Sequence, residues 1–221
     1  MRTALSHDRS DADLTQYGAL AEYNRKRHFG ITPEPPGRKG ATHVEKREFV
    51  IQKHAASHLH YDLRLEHHGV MLSWAVPKGP TLDPEIKRLA MRVEDHPMDY
   101  SQFEGVIPEG EYGGGTVMIW DHGWWEPLVP SVSAALERGE LKFRMHGKKL
   151  FGSFVLVRTR DRQWLLIKHR DKDAVVGSDL AADKARSVVS RRTMRGISTA
   201  AGGTPRQVER AGETDPPKRE R

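Results

Sequence analysis

Hydrophobic and polar residues alternate along most of the middle of the chain. Between Arg47 and about residue 170, short runs with this alternation recur at close spacing, and turn residues separate them. A period of two places successive side chains on opposite faces of a strand. The pattern predicts about nine strands, in the segments EFVIQKH, LHYDLRLE, GVMLSWAVP, RLAMRVED, GTVMIWD, GWWEPL, ELKFRMHG, GSFVLVRTR and RQWLLIKHR.

The segments between these runs contain turn and helix signals. HHG (67–69), DHG (121–123) and TRDRQ (159–163) predict turns. PSVSAALERGE predicts one helix, capped by Ser131 or Ser133 and ended by Gly139. Many short strands with almost no helix favour a small barrel or a sandwich over a βαβ fold.

The two ends of the chain differ from this central region. Residues 1–16 are polar and predict a disordered lead, and residues 17–29 predict a short basic helix. We expect one domain over residues 17–170. Beyond it, residues 171–221 are rich in Ala, Asp, Ser and Arg, which predicts a polar, largely disordered tail.

The predicted strand in HLHYDLRLEHHG (58–69) has an unusual polar face. Its apolar face, which we expect in the core, consists of Leu59, Tyr61, Leu63 and Leu65. The polar face consists of His58, His60, Asp62, Arg64, Glu66 and His68. An ordinary solvated face contains Lys, Glu, Thr and Ser, so a row of imidazoles, carboxylates and a guanidinium indicates chemistry.

His54, His60 and Asp62 are the candidate metal ligands. His60 and Asp62 point the same way on one strand, and His54, at the end of the preceding strand, can fold back beside them. Two imidazoles and a carboxylate leave open positions on a divalent ion and suit Mn²⁺, Fe²⁺ or Zn²⁺ better than Ca²⁺. The His-x-Asp spacing also arises by chance, so a surface pair without metal is the alternative.

Arg64 and His96 are candidates for contact with a phosphate. Arg64 falls on the face of Asp62, where its guanidinium can bind a phosphate with two hydrogen bonds; the alternative is an exposed salt bridge to Asp62 or Glu66. His96 precedes Pro97 at a strand end, where it can donate a proton or simply hold a turn.

Three further polar residues and one glycine-rich stretch have weaker signals. Tyr100 can donate a hydrogen bond to a phosphate, and Lys78 and Arg88 are cations that are otherwise solvated. PEGEYGGGT (108–116) lacks the ending of a phosphate-binding P-loop and predicts a bend between strands. The three tryptophans that follow it can stack bases, although such residues on short strands more often pack in a core: Trp120, Trp124 and Trp125.

Composition narrows the class of protein. The chain has 221 residues, with 36 Lys and Arg against 30 Asp and Glu, and the resulting net charge of +6 suits a polyanionic partner. It has no cysteine, which excludes disulfides and thiolate ligands. The N-terminus is polar and no apolar run reaches membrane length, so we expect a cytoplasmic, nucleoid-associated protein without a membrane segment.

The order of several long motifs resembles the phosphoesterase domain of bacterial DNA ligase D. The motifs are KRHFGITPEP, QKHAASHLHYDLRLEHHG, SWAVPKGP, RVEDHPMDYSQFEGVIPEGEYGGGT, GKKLFGSFVLVR and WLLIKHR. They cover about residues 23–170, and a weaker likeness continues in SVVSRRTMRGI (187–197).

The resemblance implies a mainly β (α+β) fold, a compact closed or nearly closed antiparallel barrel with a few short helices. It implies a manganese-dependent enzyme, with Zn²⁺ or another divalent transition metal as an alternative, that removes a 3′-terminal ribonucleoside and then the 3′-phosphate. By motif match His54, His60 and Asp62 hold the metal, and Arg64 and His96 contact the scissile phosphate. The remaining functional positions are matched by Arg27, Glu34, Lys78, Arg88 and Tyr100. The other polar residues of segment 58–69 are expected at the surface or in the turn: His58, Glu66, His67 and His68.

The chain departs from the family at one position, because His28 replaces an acidic residue. We expect this change to weaken the ribonucleoside-removing step. The chain lacks a Lys-x-Asp-Gly ligase motif and has no room for a ligase or polymerase domain. It therefore resembles a stand-alone, monomeric version that acts on DNA primer-template 3′ ends and passes its product to ligase D or another DNA ligase.

Two other functions are compatible with the same residues. A cupin-like non-haem metal oxygenase also uses His-x-Asp with a distant His on a β-barrel, although the near His54 and the cations on this face argue against it. A non-catalytic nucleic-acid-binding module fits the basic composition and predicts salt-sensitive binding without turnover.

Overall fold

The computed structural model describes residues 18–41 and 46–217, and most of their backbone lies in short antiparallel strands. The strands are β1 Arg47–Ala55, β2 Leu59–His67, β3 Val70–Val76, β4 Lys87–Arg92, β5 His96–Pro97, β6 Gly105–Ile107, β7 Gly115–Pro127, β8 Glu140–Gly147, β9 Phe151–Arg160 and β10 Gln163–Lys168. The helices are α1 Ala21–Arg25, α2 Val132–Arg138, α3 Leu180–Asp183, α4 Met194–Ala200 and α5 Pro205–Glu213, with 3₁₀ turns at Gly18–Leu20 and Met98–Gln102.

Eight of the strands close into a barrel in the order β1-β2-β3-β4-β10-β9-β8-β7, because β7 pairs back onto β1. Every pairing is antiparallel, as expected for strands joined by short connections. The short strands β5 and β6 extend the sheet beside β3 and β7. The prediction of a closed antiparallel barrel, mainly β with a few short helices, is confirmed.

The turn predictions are correct at two places and wrong at one. HHG and TRDRQ form hairpin turns, in which His68 and Asp161 have positive φ. DHG does not, because GTVMIWD and GWWEPL form one continuous strand, β7, with a bulge opposite Ile51 and Gln52. The glycine in DHG instead allows β7 and β8 to lie close together, since a Cβ at Gly123 would lie 2.1 Å from a carbonyl oxygen of β8.

Both faces of β2 are covered, which changes the interpretation of its polar row. Asp62 and Arg64 are buried, and Glu66 is fully buried and accepts a hydrogen bond from the backbone N–H of Glu48. The prediction that Glu66 is a surface residue is therefore wrong. So is the assignment of Leu59 to the core, because at the open end of the strand its side chain is 36% exposed.

The barrel interior is filled by aromatic and aliphatic side chains. Trp120 and Trp125 are fully buried in the main core, as such residues on short strands usually are. Trp124 lies on the other face of β7 and stacks on the imidazole of His146, with ring centroids 3.6 Å apart. The α2 helix follows the prediction, with Ser131 as its cap and Gly139 in the left-handed conformation at its end.

The N-terminal segment covers one side of the barrel. The predicted helix over residues 17–29 is shorter in the structure, a 3₁₀ turn followed by α1, and buries Leu20 and Tyr23. The chain then runs irregularly to residue 41, where the N–H of Gly40 bonds to the carbonyl of Gly69. The predicted disordered lead, residues 1–16, lies outside the described residues.

The expectation of a largely disordered tail is wrong for residues 171–217. This segment contains α3, α4 and α5, and it contributes Leu180, Met194, Ile197 and Ala211 to the main core. The segment is polar overall, and this composition led to the prediction of disorder. Its apolar residues are nevertheless spaced so that they face the barrel on short helices. No helix in the described part of the chain is long and apolar enough to cross a membrane.

A buried carboxylate on β7 organises the turn between β8 and β9. Asp121 is fully buried and accepts hydrogen bonds from the backbone N–H groups of His122, Lys148, Lys149 and Leu150. Burial raises the pKa of Asp121 even though these donors favour the ionised form. The turn therefore depends on this one side chain for the satisfaction of its backbone.

We predict that Asp121→Ala lowers the free energy of unfolding by about 3 kcal/mol, because it leaves several buried N–H groups without an acceptor. Chemical denaturation followed by tryptophan fluorescence measures the change. Glu137→Ala, at an exposed position on α2, is the control and should shift stability by less than about 0.5 kcal/mol. Equal stability of the two variants would contradict the role of Asp121.

Candidate active site

The pairing of β1 with β2 brings the three candidate metal ligands together. His54 and His60 are direct partners across the two strands, and their ring centroids lie 4.8 Å apart. Asp62 follows His60 by two residues and points to the same side of the sheet. One potential ligand atom from each residue lies within 4.8 Å of the others, a spacing that fits one metal ion.

Hydrogen bonds orient both imidazoles toward Asp62. Nε2 of His54 donates to the carbonyl of Gly113 at 2.8 Å, and Nδ1 of His60 donates to the carbonyl of His58 at 3.0 Å. The other two ring nitrogens, His54 Nδ1 and His60 Nε2, each lie 3.7 Å from Oδ2 of Asp62. These unprotonated nitrogens and the carboxylate form a donor set that fits a divalent transition metal.

Burial and neighbouring charges favour the unprotonated forms of His60 and Asp62. Burial lowers the pKa of His60, which favours the neutral imidazole that a metal requires. Burial alone would raise the pKa of Asp62, but the Arg64 guanidinium and the two imidazoles outweigh it and hold that pKa well below its usual range. At neutral pH the carboxylate is therefore ionised.

Three contacts fix the Arg64 guanidinium beside the carboxylate. Its Nε donates to Gln52 at 2.7 Å, its Nη1 donates to Ser73 Oγ at 2.9 Å, and its Nη2 lies 3.2 Å from Asp62 Oδ2. The guanidinium carbon of Arg64, Cζ, also lies 4.7 Å from the centroid of the Tyr100 ring. The salt bridge considered as the alternative role for Arg64 does form, but it is buried within the site and not on an exposed face.

His96 lies on β5, which pairs with β3 next to Arg64, and its side chain is buried. Its Nδ1 lies 2.9 Å from the carbonyl of Glu94 and donates to it, so Nε2 accepts from Nη2 of Arg27 at 3.3 Å. Burial and the charges of Arg64 and Arg27 lower the pKa of His96 well below its ordinary value. His96 is therefore neutral in the free protein.

The N-terminal segment adds Arg27 and Glu34 to the site, as the motif match implied. Their side chains form a buried ion pair, with 2.8 Å between Arg27 Nε and Glu34 Oε1, and Thr32 Oγ1 donates to the same carboxylate. The Arg27 guanidinium also stacks on Tyr23, at 3.7 Å from the ring centroid. These contacts fix the guanidinium that faces His96.

One cavity of about 270 Å³ collects most of the predicted residues. It is lined by Arg27, Glu34, His54, His60, Asp62, Arg64, His96 and Tyr100, together with Glu94 and Tyr112. Burial and the Glu34 carboxylate raise the pKa of Tyr100 well above its usual value, so the phenol remains a hydrogen-bond donor. The sequence motifs therefore identified a set of residues that lie together in space.

Two predicted residues do not line this cavity. Lys78 is exposed after the end of β3, and Arg88 is half-buried on β4. No hydrogen-bond partner for the Arg88 Nε lies among the described residues. His28 also lies outside the cavity, 76% exposed, with its Nδ1 3.1 Å from Glu111.

Three residues that support the site were not predicted from the sequence: Gln52, Ser73 and Glu94. Gln52 and Glu94 each precede a candidate histidine by two positions, so the period-two pattern could have placed Gln52 beside His54. Glu94 also lies 3.2 Å from the amine of Lys26 and 3.6 Å from the guanidinium of Arg27. Ser73 carried no signal, because its role depends on the pairing of β2 with β3.

Comparison with known proteins gives the same family as the motifs. A family profile, the DNA Ligase D 3'-phosphoesterase domain, matches residues 52–158. The multifunctional non-homologous end joining protein LigD of Pseudomonas aeruginosa is 50% identical over 182 residues, which cover 79% of this chain and 22% of that protein. The LigD proteins of Mycobacterium bovis and Mycolicibacterium smegmatis are 42% and 41% identical, over 75% and 74% of this chain and 21% and 22% of their own lengths.

This chain thus spans about a fifth of the length of the curated relatives that it matches. The profile match begins at Gln52 and includes all of β2 with its histidine-rich motif, on which the cavity is built. The chain belongs to the DNA ligase D 3′-phosphoesterase domain family.

Proposed function

We propose that this chain is a manganese-dependent 3′-phosphoesterase that heals nucleic-acid 3′ ends. It removes a 3′-terminal ribonucleoside to leave a 3′-phosphate, and then removes the phosphate to leave a 3′-hydroxyl. The observation that carries the proposal is the cavity itself, in which His54, His60 and Asp62 lie beside two buried guanidinium groups. A phosphate ester is the substrate class that needs both kinds of group.

His54, His60 and Asp62 hold the metal in this proposal. A divalent ion held by these three residues would supply charge withdrawal from a phosphate oxygen and activation of water. The hydrogen bonds from His54 to Gly113 and from His60 to His58 hold the rings in the tautomers that metal binding requires. The two histidines and the carboxylate leave further positions open for water and substrate.

Arg64 and Arg27 bind the non-bridging oxygens of the scissile phosphate. Arg64 is held in place by Gln52 and Ser73, so its position requires little reorganisation when charge develops. Arg27 has one nitrogen directed at Glu34 and another at His96. Two fixed cations of this kind favour an anionic substrate over the neutral or weakly charged substrate of a cupin-like oxygenase.

His96 contacts the same phosphate and supplies the proton for the leaving oxygen. Each hydrolysis forms a bond from water oxygen to phosphorus and breaks the bond from phosphorus to the leaving oxygen. That oxygen is the 5′-oxygen of the ribonucleoside in the first step and the 3′-oxygen of the strand in the second, and in both steps it takes the electron pair and needs a proton. In the free protein Nε2 accepts a hydrogen bond from Arg27. A bound phosphate competes for that guanidinium and adds negative charge, which raises the pKa of His96 so that Nε2 is protonated and can donate.

The biological role follows from the same chemistry. A 3′-phosphate prevents joining, because ligation needs the 3′-hydroxyl that this reaction produces. We propose that the chain acts as a monomer on DNA primer-template ends and that a DNA ligase, ligase D or another, uses the product. The names of its relatives, which are end-joining proteins, support this role.

The function is tested with a primer-template that carries either a 3′-phosphate or one 3′-ribonucleotide. We expect conversion to a 3′-hydroxyl in Mn²⁺, less in other divalent ions, and none after chelation. Gel mobility of the labelled strand and release of inorganic phosphate are the readouts. Salt-sensitive binding without turnover in any metal would instead indicate a non-catalytic nucleic-acid-binding module.

We predict that His60→Ala and Asp62→Ala each abolish phosphate release and weaken Mn²⁺ binding, because each removes one of three protein ligands. Calorimetric titration measures the affinity for Mn²⁺, and the phosphate assay measures turnover. Circular dichroism checks that each variant is folded. His58→Ala is the matched control, since this side chain lies on the exposed turn two residues away. Wild-type release of phosphate by either ligand variant would overturn the assignment.

We predict that Arg64→Lys lowers kcat about a hundredfold, equivalent to about 3 kcal/mol, because an ammonium group cannot make the three fixed contacts of the guanidinium. Steady-state kinetics on the 3′-phosphate substrate measure the effect. Arg144→Lys, a half-exposed position on β8, is the control and should retain wild-type kcat. Equal kcat for the two variants would remove Arg64 from the proposed chemistry.

A further inference from the structure

A second groove, of about 380 Å³, continues from the active-site cavity toward the C-terminal helix. The two share Ala56, Ser57 and Gly113 in their walls. The far wall of the second groove is formed by Arg206 and Arg210 of α5. A ligand with its end in the cavity can therefore extend along this groove without leaving the protein surface.

The helix that carries these arginines is firmly attached to the barrel. Thr204 and Gln207 form a capping box at its start, and the Gln207 side chain also donates to the carbonyl of Ile107 at 2.9 Å. Ala211 is fully buried in the main core, and Lys53 on β1 donates to the carbonyl of Thr214 just beyond the helix. The two arginines thus lie on a fixed element, which limits the entropy lost when they bind.

Arg206 and Arg210 are one helical turn apart, so their side chains begin about 5–6 Å from each other on one face. Among the described residues, neither guanidinium has a carboxylate within the 4.0 Å of an ion pair. The glycine-rich loop opposite carries Glu109 and Glu111, and the Glu111 carboxylate lies 3.1 Å from the His28 imidazole. The groove therefore has a cationic wall on α5 and an acidic wall on the loop.

We propose that Arg206 and Arg210 bind the sugar-phosphate backbone of the strand whose 3′ end occupies the active-site cavity. This inference rests on the proposed function, and it assigns a role to a helix beyond residues 52–158, the region matched by the family profile. The continuity of the two grooves places the 5′-directed nucleotides of that strand against α5. Two guanidinium groups in series that form no ion pair with the described part of the chain are suited to consecutive phosphates.

The double variant Arg206→Ala/Arg210→Ala tests the proposal. The substrates are a primer-template with a 3′-phosphate, which is long enough to cross the groove, and a nucleoside 3′-phosphate, which is not. We expect the ratio of kcat/KM for the long substrate to that for the short one to fall at least tenfold. Binding of a 3′-hydroxyl primer-template is measured in chelator by fluorescence anisotropy. The slope of log K against log salt should become shallower by about 1.8, at about 0.9 per phosphate contact with duplex DNA.

Two other variants separate charge from packing. Arg206→Lys/Arg210→Lys retains both charges and should recover most of the binding. Arg138→Ala/Lys142→Ala removes two exposed cations near the opposite end of β7 and should retain the wild-type ratio and salt slope. Glu109→Gln removes a like charge from the path of the backbone and should tighten binding.

The outcomes separate this proposal from the one on which it rests. If the wild-type protein releases no phosphate from either substrate, the proposed function fails, while the anisotropy measurement still tests the groove. Equal salt slopes for the wild type and Arg206→Ala/Arg210→Ala would overturn the role of the arginines. A loss of thermal stability on Glu109→Gln, without tighter binding, would overturn it too, because it would indicate that the arginines serve to pair with the loop.

Discussion

A carboxylate and a guanidinium two residues apart on one buried strand are the pair on which the rest of the site depends. Asp62 and Arg64 are almost fully buried, and removing two such charges from water is costly unless each is paired and hydrogen-bonded. Both groups have such partners. The Arg64 guanidinium donates to Gln52 and Ser73 on the two neighbouring strands, and imidazoles lie on the other side of the Asp62 carboxylate. Such an arrangement keeps both groups ionised and fixed in position, as phosphoryl transfer requires.

The elements outside the barrel complete the same site. The N-terminal segment contributes the Arg27–Glu34 pair, and the loop before β7 contributes the Gly113 carbonyl that orients His54. Neither element could hold these groups alone, because Arg27, Glu34 and Gly113 all lie outside helices and strands. They are held by contacts with the sheet, such as the edge-to-face contact between Tyr23 and His96, whose ring centroids lie 5.0 Å apart. The barrel therefore acts as a rigid support for groups that come from several parts of the chain.

The C-terminal helices extend this support beyond the region that the family profile matches. The α5 helix lies next to the loop that carries Gly113, and Gln207 bonds to Ile107 at the start of that connection. The same helix carries two arginines into a groove continuous with the cavity. One element can thus support the catalytic loop and offer a path for the substrate strand.

The sequence alone determined most of the strands and the identity of most cavity residues. Period-two alternation and hairpin signals were sufficient because they are local, and His60, Asp62 and Arg64 share one face of one strand. The position of His96 at a strand end before Pro97 marked it as a candidate, and the motif resemblance added Arg27 and Glu34, which lie far from that strand in the sequence. Local signals failed at DHG, where Gly123 permits close approach of β8, and at Glu66, which is buried by covering elements.

Only the tertiary structure decided which groups meet and which helices form. The register of β1 against β2 places His54 opposite His60, and the pairing of β2 with β3 places Ser73 beside Arg64. The short helices after residue 170 have too few apolar residues to fold on their own, so their formation depends on the barrel surface that buries Met194 and Ile197. Pairing register and burial are properties of the whole fold, and for this reason no local pattern could have specified them.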